Sequence, residues 1–80
     1  MRCLLRAYSS WGSESLDELT LEVAAGAALE SALEAAVRMM APGRYVGVHE
    51  LDVHGRFRRW VALVEWRKGA MEVRWNPEVR

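Results

Sequence analysis

The sequence predicts an α+β domain, with one amphipathic helix packed on a mainly antiparallel sheet of four to five strands. The element order is β(β)αβββ, ending in a three-strand meander. Three observations carry this prediction. Only residues 27–41 combine helical apolar spacing with clear stop signals. Three later segments are rich in Val and Trp and alternate in polarity. Gly55 and Gly69 punctuate those segments at hairpin spacing. At 80 residues the chain is a single domain, residues 1–80.

Residues 3–8 form the first expected strand, and Ser9-Ser10-Trp11-Gly12-Ser13 an expected loop. Residues 16–24 fit two patterns. Leu19, Leu21 and Val23 alternate with Glu18, Thr20 and Glu22, as in a strand. Leu16, Leu19 and Val23 also fit a helix, with Ser15 and Glu18 as a capping box. That helix would continue through Gly26, which costs about 1 kcal/mol relative to Ala, so the strand is preferred. In residues 27–41, Leu29, Leu33, Val37 and Met40 stripe one face of the helix. Glu30, Glu34 and Arg38 take the other side, and Glu34 precedes Arg38 in the favourable i,i+4 order. Gly26 is the expected N-cap, and Pro42-Gly43 ends the helix.

Residues 44–53, 57–67 and 70–75 are the meander strands, joined by His54-Gly55 and Lys68-Gly69. Asn76-Pro77 stops the last one. With two-residue turns, Trp66 faces Met71, Val64 faces Val73 and Ala62 faces Trp75. Likewise Leu51 faces Arg58, His49 faces Trp60, Gly47 faces Ala62 and Tyr45 faces Val64. Alternation then gives an aromatic side holding Tyr45, His49, Leu51, Trp60, Val64, Trp66, Met71, Val73 and Trp75. The opposite side has a Val46, Val48, Val61 and Leu63 centre, with Glu50 facing Arg59. One helix covers one side of a sheet. The helix is expected on the aromatic side, which leaves the Val46/Val48/Val61/Leu63 side as a subunit interface. A sheet edge is the second route to association.

Composition narrows the function. A core this small gains from a partner subunit. Cys3 is the single cysteine, so no intrachain disulfide is available, and a lone thiol fits a reducing, cytoplasmic setting. Cys3, His49 and His54 are too few for a structural zinc site. No leader-like or membrane-spanning run is expected. Net charge is zero, which disfavours nonspecific nucleic-acid binding. Residues 1–43 hold three basic and six acidic side chains, and residues 44–80 hold eight and five. Ten Arg stand against one Lys, with abundant Ala and no Ile or Gln, the usage of a GC-rich bacterial genome or a thermophile's.

No residue set specifies a reaction. Glu50, Asp52 and His54 share one side at i, i+2, i+4 and read as a solvated strand end in preference to a metal set. Cys3 reads as a buried, inert thiol and His49 as a packed histidine. No phosphate loop and no nucleophile–base set is present, so no catalytic residue, metal or cofactor is expected. The aromatic group offers the alternative to self-association. If the helix covers the other side, Tyr45, His49, Trp60 and Trp66 become a platform for a planar ligand or single-stranded nucleic acid, with Arg44, Arg56 and Arg58 nearby.

The order strand, helix, meander over residues 3–67, with Arg44-Tyr45-Val46 starting the strand after the helix, looks loosely like dodecin, a small flavin-storing shell protein. Read with two strands before the helix, the chain resembles a β-grasp domain, without the Gly-Gly tail of the sulfur carriers. Both are likenesses of architecture, and neither supplies a site residue. The expected function is a non-enzymatic, homo-oligomeric interaction protein.

Overall fold

A computed structural model describes residues 1–9, 14–24, 28–40 and 45–79. The elements run β1 (Arg2–Tyr8), β2 (Ser15–Glu22), α1 (Ala28–Met39), β3 (Tyr45–Leu51), β4 (Phe57–Arg67) and β5 (Ala70–Trp75). The expected α+β architecture holds. Five antiparallel strands form one sheet in the order β2-β1-β3-β4-β5, with β3, β4 and β5 as the C-terminal meander. The ambiguous segment is a strand, β2, paired to β1 along its length. Gly26, Pro42, Gly43 and Arg44 lie outside the described residues.

The helix presents Leu29, Leu33, Ala36 and Val37 to the sheet, with Met40 just beyond its end. Beneath it lie Cys3, Leu5 and Ala7 of β1, Val46 and Val48 of β3, and Val61, Ala62 and Val64 of β4. All of these are buried, several of them completely. Leu19, Leu21, Trp66, Met71 and Trp75 pack around the margin. On the polar side of α1, Arg38 donates to Glu34 at 3.2 Å, the expected i,i+4 pair.

The two hairpins differ. Lys68 and Gly69 both take positive φ, 51° and 78°, which is the two-residue turn expected between β4 and β5. The β4–β5 register is the expected one: Trp66 faces Met71, Val64 faces Val73 and Ala62 faces Trp75. The β3–β4 connection is one residue longer than expected. Asp52 N–H donates to Arg56 C=O at 2.9 Å, and Gly55 N–H donates to Asp52 C=O at 3.1 Å. Gly55 sits at φ 77°, so Val53-His54-Gly55 is a three-residue loop with the glycine in the left-handed position. The Asp52 carboxylate accepts from His54 N–H and Arg56 N–H, which fixes the turn.

The β3–β4 register corrects the predicted sides. His49 faces Trp60 and Glu50 faces Arg59, as expected. Val48, however, faces Ala62, so Val61 is an extra residue in β4. Leu51 faces Phe57, so Arg58 is a second extra residue. Beyond Val61 the alternation is reset. Gly47 faces Leu63 and Val46 faces Val64, where the unbroken register had Gly47 with Ala62 and Tyr45 with Val64. Each predicted side is therefore a mixture. Val64, Trp66, Met71, Val73 and Trp75 join Val46, Val48 and Val61 on the helix side, while Tyr45, His49, Leu51, Trp60 and Leu63 lie on the other.

The predicted interface does not survive as one surface. Val46, Val48 and Val61 are core residues, with at most 1% of their surface exposed, and only Leu63 lies on the uncovered side. The reason is that α1 covers the Val46/Val48/Val61 side and not the expected aromatic side, while the reset at Val61 sends Leu63 to the opposite side.

Candidate functional site

The side of the sheet away from α1 has no covering element among the described residues. Its neighbours follow from the registers. On β1 it carries Arg2, Leu4, Arg6 and Tyr8, which pair with Leu51, His49, Gly47 and Tyr45 of β3. On β4 it carries Phe57, Trp60, Leu63 and Glu65. Phe57 and Trp60 are 54% and 41% exposed, and Leu16 at the β2 margin is 53% exposed. Phe57 and Trp60 are neighbours on this side, and large apolar side chains exposed together mark a surface built for contact, while Leu16 lies at the Tyr8 end of the sheet, away from them.

Phe57 is the hub of a small stack. The His49 ring lies 4.9 Å from it, centroid to centroid, at an interplanar angle of 26°. The Arg6 guanidinium lies 5.1 Å from the Phe57 centroid, within cation–π range. Arg6 Nε also lies 3.0 Å from Glu18 Oε1, an ion pair by distance without the geometry of a directed hydrogen bond. Burial pushes the His49 pKa below its ordinary value, and the nearby Arg6 charge pushes it further the same way. His49 is thus held neutral, as a flat ring that can both donate and accept.

Gly47, on the central strand, lies close under the His49 and Tyr8 rings. A methyl group there would come within 3.3 Å of His49 Nε2 and 3.9 Å of Tyr8 Cε2.

Of the predicted platform, Tyr45, His49 and Trp60 share this open side, and Trp66 lies on the helix side. Arg44 lies outside the described residues. Arg58 turns to the helix side, where its guanidinium meets Glu50 at 3.2 Å while Arg59 Nε meets the same carboxylate at 3.0 Å. Glu50, Asp52 and His54 therefore do not converge. Glu50 is buried between two arginines, Asp52 caps the turn, and His54 is exposed in it. Among the described residues, no group of three His, Cys, Asp or Glu side chains could hold a metal ion. Cys3 is fully buried. Its thiol pKa is raised, chiefly by burial and also by Glu50, against a lowering pull from the N-terminal charge.

Sequence reasoning missed Arg6, Tyr8 and Phe57 as members of this surface. The alternation of Leu4, Arg6 and Tyr8 against Cys3, Leu5 and Ala7 could have placed the first two. Phe57 required knowledge of the extra residues in β4.

No helix among the described residues is long and apolar enough to cross a membrane. Set against protein-family models, curated proteins and solved structures, the chain matches none of them.

Proposed function

We propose that this chain is a non-enzymatic interaction protein that works as a homo-oligomer. The supporting observation is the one-sided cover of the sheet: α1 shields one side, while Phe57 and Trp60 stand more than two-fifths exposed on the other. An 80-residue domain has a small core of its own and gains from burying further surface against a second copy, through this side or through a sheet edge. The buried thiol of Cys3 fits a reducing compartment, the cytoplasm by preference. Sedimentation equilibrium over a wide concentration range tests the reading. The expected result is a discrete multiple of the 9.1 kDa chain that persists on dilution. A chain that stays monomeric at every concentration removes the proposal.

A second reading draws on the aromatic rings of the open side. Tyr45, His49 and Trp60 share that side, and such rings suit stacking with a planar heteroaromatic ring better than binding of a polyphosphate. The zero net charge points the same way, away from nucleic acid. This reading predicts quenching of Trp60 emission on titration with a flavin, with little response to a single-stranded oligonucleotide. A flat titration with both, at protein concentrations where the fold is intact, excludes it.

A further inference from the structure

The self-association reading leaves open which surface joins the copies. β5 is the outermost strand on its side, and no described strand pairs with its far edge. The two-residue turn makes Arg67 and Ala70 a hydrogen-bonded pair, so even-numbered residues of β5 aim their backbone groups at β4. The bond from Asn76 N–H to Val61 C=O, 2.9 Å, follows the same parity. The N–H and C=O of Met71 and Val73 therefore point outward along the open edge.

Both flanks of this edge are hollow. On the helix side a groove of about 180 Å³ runs between β5 and α1, lined by Leu33, Val37, Met71, Val73 and Trp75 with Glu30 and Glu34 above. On the other side a shallow recess of about 200 Å³ lies among Leu63, Glu65, Glu72 and Arg74. Val73 is 37% exposed between them.

Resting on that reading of the chain as a homo-oligomer, we infer that β5 is the dimer seam, paired antiparallel with β5 of a second copy about a two-fold axis at Val73. The strand sequence Ala70-Met71-Glu72-Val73-Arg74-Trp75 is self-complementary in this register. Val73 meets Val73 of the partner subunit in a hydrogen-bonded pair. Glu72 lies directly opposite Arg74 of the partner subunit, and Arg74 opposite the partner's Glu72. These are non-hydrogen-bonded positions, where side chains approach most closely. On the helix side Met71 comes beside Trp75 of the partner subunit, and the two α1–β5 grooves join into one trough. Such a contact is isologous and closes at two copies. The opposite edge is unsuited to the same role. β2 carries Asp17, Glu18 and Glu22 and no basic residue, so self-pairing gathers the carboxylates of two copies along one seam with no cation on either strand to offset them.

Charge reversal tests the register. Glu72 is 61% exposed at its side chain, and Arg74 is exposed, so substitution at either leaves the core untouched. Sedimentation equilibrium, with circular dichroism as a check on folding, is run on four proteins. These are the parent, Glu72→Arg, Arg74→Glu, and the double variant Glu72→Arg/Arg74→Glu. The expected result is a dimer for the parent, dissociation constants raised about tenfold or more for each single variant, and recovery of the dimer in the double variant. A parent dimer indifferent to all three changes overturns the β5 seam but leaves self-association standing. Failure of the double variant to recover overturns this register. Mass growing past the dimer overturns the closed two-fold contact. A monomeric parent removes self-association itself, and the seam with it.

Discussion

Three residues show how local environment decides chemistry. Cys3 is sealed under α1 with its pKa raised, so its thiolate is scarce and out of reach. A thiol reagent should label it slowly in the native protein and fully after urea unfolding. Prompt native labelling would contradict the packing of β1. Glu50 is nearly buried, yet Arg58 and Arg59 neutralise it from the open end of the core. Glu50→Gln keeps the shape and loses the charge, and should cost about 1 kcal/mol by urea titration, since both arginines retain water. Gly55 has open space where a side chain would go, so only its backbone angle resists substitution. Gly55→Ala should cost about 1 kcal/mol, and Gly55→Asn less, because Asn tolerates positive φ. At this scale the sequence was partly legible. A lone cysteine in an apolar strand reads as buried. The burial of Glu50 does not show, because it depends on two consecutive arginines reaching the same side through an extra residue in β4.

At the scale of elements, legibility followed locality. The helix follows from periodicity and the β4–β5 hairpin from Lys68-Gly69, whereas β2 fits both a strand and a helix and is preferred as a strand only through the cost of Gly26 inside a helix. The β3–β4 pairing escaped because it turns on a three-residue loop and two extra residues, neither of which alters local alternation much. The His49–Phe57 stack joins strands β3 and β4, and its imidazole titrates below the ordinary histidine value because of burial and then Arg6. The unfolded chain binds that proton more readily than the folded one. The stabilising contribution is complete above the ordinary pKa of about 6.5 and is lost as pH falls through the lowered folded pKa. Thermal midpoints should therefore drop between about pH 8 and pH 5 more in the parent than in His49→Phe, which removes the proton site. Equal drops would detach His49 from the pH response.

At the scale of the molecule, the mismatch between one helix and a two-sided sheet was readable, and the identity of the exposed side was not. A single extra residue at Val61 exchanged half of each side. The consequence for mutagenesis is direct. Val48→Asp places a carboxylate at a fully buried position and should cost more than about 4 kcal/mol, enough to unfold a domain of this size. Phe57→Ser, at a position 54% exposed, should shift monomer stability far less while removing the hub of the open surface. A folded, soluble Val48→Asp variant would mean that α1 does not lie where the core places it.

The extra residue at Val61 also divides the described tryptophans between two compartments. Trp60, just before it, emits from the open side, while Trp66 and Trp75 pack against the margin of the core beside the β5 edge. Each of the two surfaces thus has a tryptophan reporter of its own among the described residues. In a Trp11→Phe background, acrylamide should quench Trp60 preferentially. A ligand stacked on the Tyr45, His49 and Trp60 side would shield that emitter, whereas docking along β5 would change the emission of Trp75 and leave Trp60 open to the quencher.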